Sequence, residues 1–179
     1  MMRQLNVIGA IPYKFCKEFC HLLKQGYEPA IKTAARILVQ HLPDKSVLIP
    51  VPGHTGIPGY TFDMANDIAG RKKGVIFMDF LRCLPHESLC EMKSAGLPIE
   101  SLDLGVNVNQ SEIPRLKGLI ERGYAAVLVD NVVDTGKTAR ACIDAIHHAV
   151  NKDVEIFIMA IGDTGVHNIL CENKPGKIQ

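Results

Sequence analysis

No charge of one sign dominates this 179-residue sequence: 20 Lys and Arg stand against 19 Asp and Glu, a net charge of +1. General electrostatic binding to nucleic acid or to anionic lipid needs a basic surface that neutralises many phosphates. Neither direct nucleic-acid contact nor membrane association is therefore expected, and any bound anion must be held locally. Long hydrophobic runs are missing too, since the stretch 156–161 falls far short of the roughly 18–20 residues that span a bilayer. The apolar residues 7–11 are cut off by Pro12 and Lys14, too early for the core of a secretory signal. The six cysteines lack the spacing of a disulfide framework, and a chain of this length needs no covalent staples. Reduced thiols in a cytoplasm are the expectation. Internal repeats and low-complexity tracts are also absent.

What is present reads as one globular domain over 1–179, because 47% hydrophobic and 22% charged residues sit near globular averages. Four short apolar runs, 47–51, 75–80, 125–129 and 154–161, are continuous rather than alternating, which predicts strands covered on both faces of a parallel sheet. Helical spacing separates them. Ile31, Ala34, Ala35, Leu38 and Leu42 follow Pro29, a first-turn residue. Met64, Ala65, Ile68 and Ala69 form a second stripe, with Gly70 as its expected left-handed cap. Cys142, Ala145, Ile146 and Ala149 form a third, beginning after Gly136. The order predicts an α/β fold with right-handed crossovers. The stretch 84–123, with Pro85, Pro98 and Pro114, reads as a flexible insert containing a short helix near 87–94.

Chemistry concentrates after the third strand, in Asp130-Asn131-Val132-Val133-Asp134-Thr135-Gly136-Lys137-Thr138. A buried strand ends in a polar pair, and a small-residue turn opens a helix whose first N–H groups lack partners and carry partial positive charge. Gly136-Lys137-Thr138 could close a Walker A loop, but that motif needs a glycine where this chain has Asn131. A second turn, Val51-Pro52-Gly53-His54-Thr55-Gly56, follows the first strand, and its glycines would let main-chain N–H groups face a diphosphate. Each segment also has a plain reading: Asp134 as an ordinary helix N-cap, and 51–56 as a Pro/Gly connection. Cys16, Cys20 and His21 lack a fourth metal ligand, and the cysteines read as buried or surface thiols. Tyr60, Phe62 and Met64 read as helix-packing groups.

The strand-Asp130-Asn131-to-Thr138 segment resembles the phosphoribosyl-diphosphate (PRPP) motif of type I phosphoribosyltransferases, and its Asp134-Thr135-Gly136-Lys137-Thr138 run is most similar to the hypoxanthine-type members. The 48–56 segment resembles the pyrophosphate loop of amidophosphoribosyltransferases and ComF-like proteins. Residues 22–27, Leu81-Arg82, Ser88-Leu89 and Lys93 resemble the ComF entry segment and, loosely, its flexible loop. The resemblance covers about 22–161.

It implies a type I phosphoribosyltransferase-like parallel sheet flanked by helices, with a flexible insert and a small hood from the N-terminus or the insert. The implied activity is Mg²⁺-dependent transfer of 5-phosphoribosyl from PRPP to a nitrogen nucleophile, a purine base being one candidate, with release of pyrophosphate. Asp130, Asn131, Asp134, Thr135, Gly136, Lys137 and Thr138 would bind PRPP, and Gly53, His54, Thr55, Gly56 and Arg82 its diphosphate. Asp130 would also meet the metal, and Asp134 and Asp130 would be the catalytic pair. Asn131 stands where the family carries a second acid, so an amide there can bond a hydroxyl but supplies no second charge. The expected partners are PRPP and a small-molecule acceptor; a homodimer is allowed. The alternative function is a non-catalytic PRPP or nucleotide sensor, or a ComF-like accessory protein in DNA uptake or modification, working through a protein partner.

Overall fold

Five parallel strands make the central sheet of the computed structural model, which describes residues 5–99, 102–151 and 153–166. In chain order the elements are β1 (Asn6–Ile8), β2 (Ile11–Pro12), α1 (Tyr13–Lys24), α2 (Glu28–Leu38) with a 3₁₀ turn (Val39–His41), β3 (Ser46–Pro50) and α3 (Tyr60–Arg71). There follow β4 (Val75–Phe77), β5 (Leu81–Arg82), α4 (Leu89–Ser94), β6 (Asn107–Val108), a 3₁₀ turn (Gln110–Glu112) and α5 (Ile113–Glu121). The chain closes with β7 (Ala125–Val129), β8 (Val132–Val133), α6 (Lys137–Ala149), β9 (Ile156–Met159) and β10 (Gly162–Asp163). The expected domain span 1–179 also includes residues outside those described.

The sheet order is β1-β9-β7-β3-β4. All five residues of β3 are buried, as are four of the five in β7, because apolar side chains of one strand feed two cores. Val47, Ile49, Ala126 and Leu128 pack with Leu116 and Leu119 of α5 and Cys142 and Ile146 of α6. Leu48, Val127 and Val129 pack on the other face with Cys20 and Leu23 of α1, Ala34 and Leu38 of α2, and Met64 and Ile68 of α3. The fold is thus α/β, a parallel sheet flanked by helices. Three neighbouring strands break at the same level and resume as a small parallel sheet in the same order, β2-β10-β8. Asp130 and Asn131 occupy that break in β7, where the Asn131 carbonyl accepts from Ile161 N (3.1 Å) and Gly162 N (3.0 Å).

Several expectations need correction. Gly70 does not cap its helix: α3 runs through it to Arg71, whose guanidinium bonds Asp67 one turn back at 2.8 Å. The left-handed glycine is Gly74 (φ +86°), where a Cβ would stand 2.6 Å from the Asp44 carbonyl oxygen. The strand expected over 75–80 ends at Phe77, and that over 154–161 narrows to β9, with β10 starting just beyond it. The insert is shorter than 84–123, because Pro114 opens α5 from its first turn and Leu116 and Leu119 anchor that helix in the core. The N-terminal residues supply edge strand β1 and then β2 of the small sheet, while the insert contributes the short α4 and β6, which pairs antiparallel with β5 just ahead of it. Among the described residues no helix is long and apolar enough to cross a membrane.

Candidate functional site

The chain leaves β3 for β4 on one side and returns to β7 on the other, so β3 and β7 are neighbours at the point where strand order reverses. Their last residues pair, Pro50 with Val129. Both candidate loops therefore start side by side at the carboxyl edge of the sheet, the place where open α/β sheets bind ligands.

The 51–59 loop is held by its own backbone and by the insert. Gly53 N donates to the Ile57 carbonyl and Gly56 N to the Gly53 carbonyl, each at 3.0 Å. Those two N–H groups are spent inside the loop. His54 and Thr55 are exposed at its tip, and among the described residues their N–H groups have no hydrogen-bond partner. Gly56 has φ +97°, and a Cβ there would stand 2.8 Å from the Cys83 carbonyl oxygen. The start of the insert and the residue before it clasp the loop, Cys83 N donating to the Gly56 carbonyl (3.0 Å) and His86 N to the His54 carbonyl (2.9 Å). The Cys83 thiol donates to the Gly53 carbonyl at 3.3 Å, and burial pushes it above the usual thiol range. Arg82 lies beside this clasp, but its guanidinium grips Asp79 with two bonds of 2.6 Å and is thereby held above the usual range.

The second loop starts with Asp130, whose Oδ1 accepts the Asn131 N–H at 2.7 Å. Burial pushes this carboxyl up to about 6, against the pull of that N–H, of the Tyr60 hydroxyl and of Lys24. The Asn131 amide is used at both ends: Nδ2 donates to the Cys20 carbonyl at 3.2 Å, and Oδ1 accepts the Tyr60 hydroxyl at 2.9 Å. Asp134 is not a helix cap. Its Oδ2 pairs with Lys93 of α4 at 2.7 Å, its Oδ1 accepts the Thr164 hydroxyl at 2.8 Å, and the N-cap of α6 is Gly136. Gly136 has φ +74°. Thr135 Oγ1 accepts Lys137 N at 3.4 Å, and Arg140 Nη1 holds the Thr135 carbonyl at 2.6 Å. Lys137 and Thr138 form the first turn of α6, both partly exposed.

The structure thus brings 53–56 and 130–138 to one edge and leaves the Arg82 guanidinium with an acid of its own. It adds Tyr60, Lys93, Thr164 and the Cys20 carbonyl to the neighbourhood. Of these, Tyr60 carried a usable signal, a hydroxyl in the first helical turn after a glycine loop; the others meet the loop only through tertiary packing. Phe62 and Met64 do pack, Phe62 edge-on to Phe77 at 4.8 Å and Met64 fully buried. Cys16 and Cys20 are buried free thiols, with Cys20 pushed up to about 12 by burial and by Cys16. His147 is packed against the Val154 carbonyl and His148 is exposed. A cavity of about 750 Å³ lies away from both loops, between the insert at Asp103–Val108 and Ala141, Asp144 and His148 of α6.

Among the described residues no cluster of three or more His, Cys, Asp or Glu side chains could hold a metal unaided. A cation such as Mg²⁺, which keeps waters and takes other ligands from a bound phosphate, would need few protein oxygens. Asp130 Oδ2, which has no hydrogen-bond partner among the described residues, can supply one oxygen. The chain matches none of the protein-family models with which it was compared, and no curated protein matches it either.

Proposed function

We propose that this chain, on a type I phosphoribosyltransferase-like fold, binds PRPP across the two loops and transfers its 5-phosphoribosyl group to a nitrogen nucleophile, releasing pyrophosphate. The observation that carries the reading is the pairing of Pro50 with Val129 at the reversal of strand order. It sets two glycine turns beside one another at the edge where a ligand with two separated phosphate groups can reach both. Thr135, Gly136, Lys137 and Thr138 at the start of α6 take the 5′-phosphate. The free N–H groups of His54 and Thr55 at the exposed tip take the diphosphate, on a turn whose shape Gly53 and Gly56 set. Asp130 meets the ribose hydroxyls and one face of a Mg²⁺ ion, which would neutralise diphosphate charge when bound. Arg82 joins the diphosphate only by leaving Asp79.

Asp134 is the candidate acid/base for the acceptor, and Lys93 must move from it before it can exchange a proton. Asp134→Asn is expected to lower kcat by roughly 10²-fold or more with PRPP affinity retained, as loss of a general acid–base group does. Unchanged turnover in that variant would leave Asp134 a mere tether for Lys93 and Thr164.

One observation favours the non-catalytic reading. Both ends of the Asn131 amide are committed to protein partners, which leaves Asp130 as the sole carboxylate of the pair to steady positive charge at the anomeric carbon. Pyrophosphate release from PRPP and Mg²⁺ with a panel of purine and pyrimidine bases separates the two. Release with any base supports transfer; PRPP binding without release supports a sensor or a ComF-like accessory protein.

A further inference from the structure

Tyr60 is the first residue of α3, directly after the 51–59 loop, yet its hydroxyl reaches the other loop. It donates to Asn131 Oδ1 at 2.9 Å and stands 3.5 Å from Asp130 Oδ1. The opposite end of the Asn131 amide is held by the Cys20 carbonyl of α1. Burial, followed by the charge of Asp130, keeps the phenol well above its usual range, so the hydroxyl stays a donor. Asn131 is thus braced between two helices on one face of the sheet, and its own N–H fixes Asp130 Oδ1 at 2.7 Å. A side chain that joins α3 to the turn 130–131 also links the two loops mechanically, because α3 begins where the first loop ends. Neither neighbour on the helix makes this link: Met64 turns to the apolar core and Phe62 packs on Phe77.

We infer that Tyr60 is a positioning residue for Asp130, acting through the braced Asn131 amide to fix the carboxylate at the carboxyl end of β7. Its consequence for PRPP rests on the function proposed above; its effect on the turn 130–131 does not. The brace also accounts for an amide at position 131. A carboxylate there would accept from Tyr60 but would face the Cys20 carbonyl with no hydrogen to give.

Tyr60→Phe removes the hydroxyl and keeps the ring in the core. Two measurements on it are needed. The first uses the ligand-free protein and follows the Asn131 backbone amide proton by NMR, since its bond to Asp130 Oδ1 reports where the carboxylate lies. The expected result is an upfield move of that resonance and exchange with solvent at least about tenfold faster, roughly the opening made easier by loss of one hydrogen bond. An unchanged resonance and exchange rate would overturn the positioning role, whatever the ligand.

The second is a double-mutant cycle with Asp130→Asn, read as PRPP affinity in Mg²⁺ by calorimetry. If Tyr60 works through Asp130, Tyr60→Phe weakens PRPP binding about tenfold in the parent and hardly at all in Asp130→Asn. Equal losses in both backgrounds would overturn the inference and make Tyr60 a general support of the fold. A parent chain that binds no PRPP would sink the proposed function alone, and the amide measurement would still decide the role of Tyr60. Asn131→Ser, which shortens the brace from the other side, should reproduce the amide behaviour of Tyr60→Phe.

Discussion

Position 131 shows how one oxygen in place of one nitrogen would matter. Asn131→Asp keeps size but sets an acceptor against the Cys20 carbonyl and buries more negative charge beside Asp130. A loss of roughly 1–3 kcal/mol in stability is expected, the cost of an unsatisfied buried polar contact, and urea unfolding checks it. Analogy with the acidic pair of phosphoribosyltransferases points the other way, toward a gain in transfer from a restored carboxylate. The contacts of Asn131 argue against that gain. These contacts could not be read from the sequence, because Cys20 and Tyr60 lie 111 and 71 residues from Asn131 and only folding brings them there. Legible in advance were the Asp130-to-Thr138 segment as a strand, a polar pair and a helix start, since those rest on local apolar and glycine patterns.

Asp130 itself carries a testable stability cost. Its folded carboxyl is raised from 3.8 to about 6 by burial, so the folded state holds the proton more tightly than the unfolded one. Below about pH 4 both states are protonated and the group is neutral in the balance. As pH rises toward and past 6 the unfolded state gains from ionising first, and the penalty on the fold grows to as much as about 3 kcal/mol. Ligand-free Asp130→Asn should therefore be more stable than the parent at pH 7.5, with the advantage shrinking toward pH 4. Thermal unfolding across that range checks it, and a constant difference at all pH values would contradict the assigned cause.

Among the elements, strands were easier to read than edges. β3 and β7 stood out because apolar residues in an unbroken run fit a strand covered on both faces. Edge strand β1 has only three residues and pairs on one side, and α1 buries Cys16, Cys20 and Leu23, a stripe too weakly apolar to announce a helix. α5 was hidden by Pro114, which suggests a break yet sits comfortably in a first turn. The start of α6 is more constrained than a phosphate cradle alone requires. At Gly136 a Cβ would lie 2.5 Å from Leu5 Cδ1 and 2.8 Å from Arg140 Nη1, on a backbone at φ +74°. Gly136→Ala should cost about 2 kcal/mol or more through backbone strain and overpacking together. Chemical denaturation reads this directly. Loss of ligand binding in that variant would accordingly not be evidence of a phosphate contact unless measured on the folded fraction.

The proposed site joins two turns that lie far apart in the sequence. The sheet order makes them neighbours, Cys83 and the insert's His86 clasp the first, and Lys93 ties the insert to Asp134 in the second. A map of backbone amide chemical shifts during titration with PRPP and Mg²⁺ tests this most directly. Resonances of His54, Thr55 and Gly56 should move together with those of Thr135, Gly136, Lys137 and Thr138, with one saturation midpoint for both groups. Inorganic phosphate should move the second group alone. If millimolar PRPP moves neither group, or moves residues elsewhere with both loops silent, the two-loop site is contradicted.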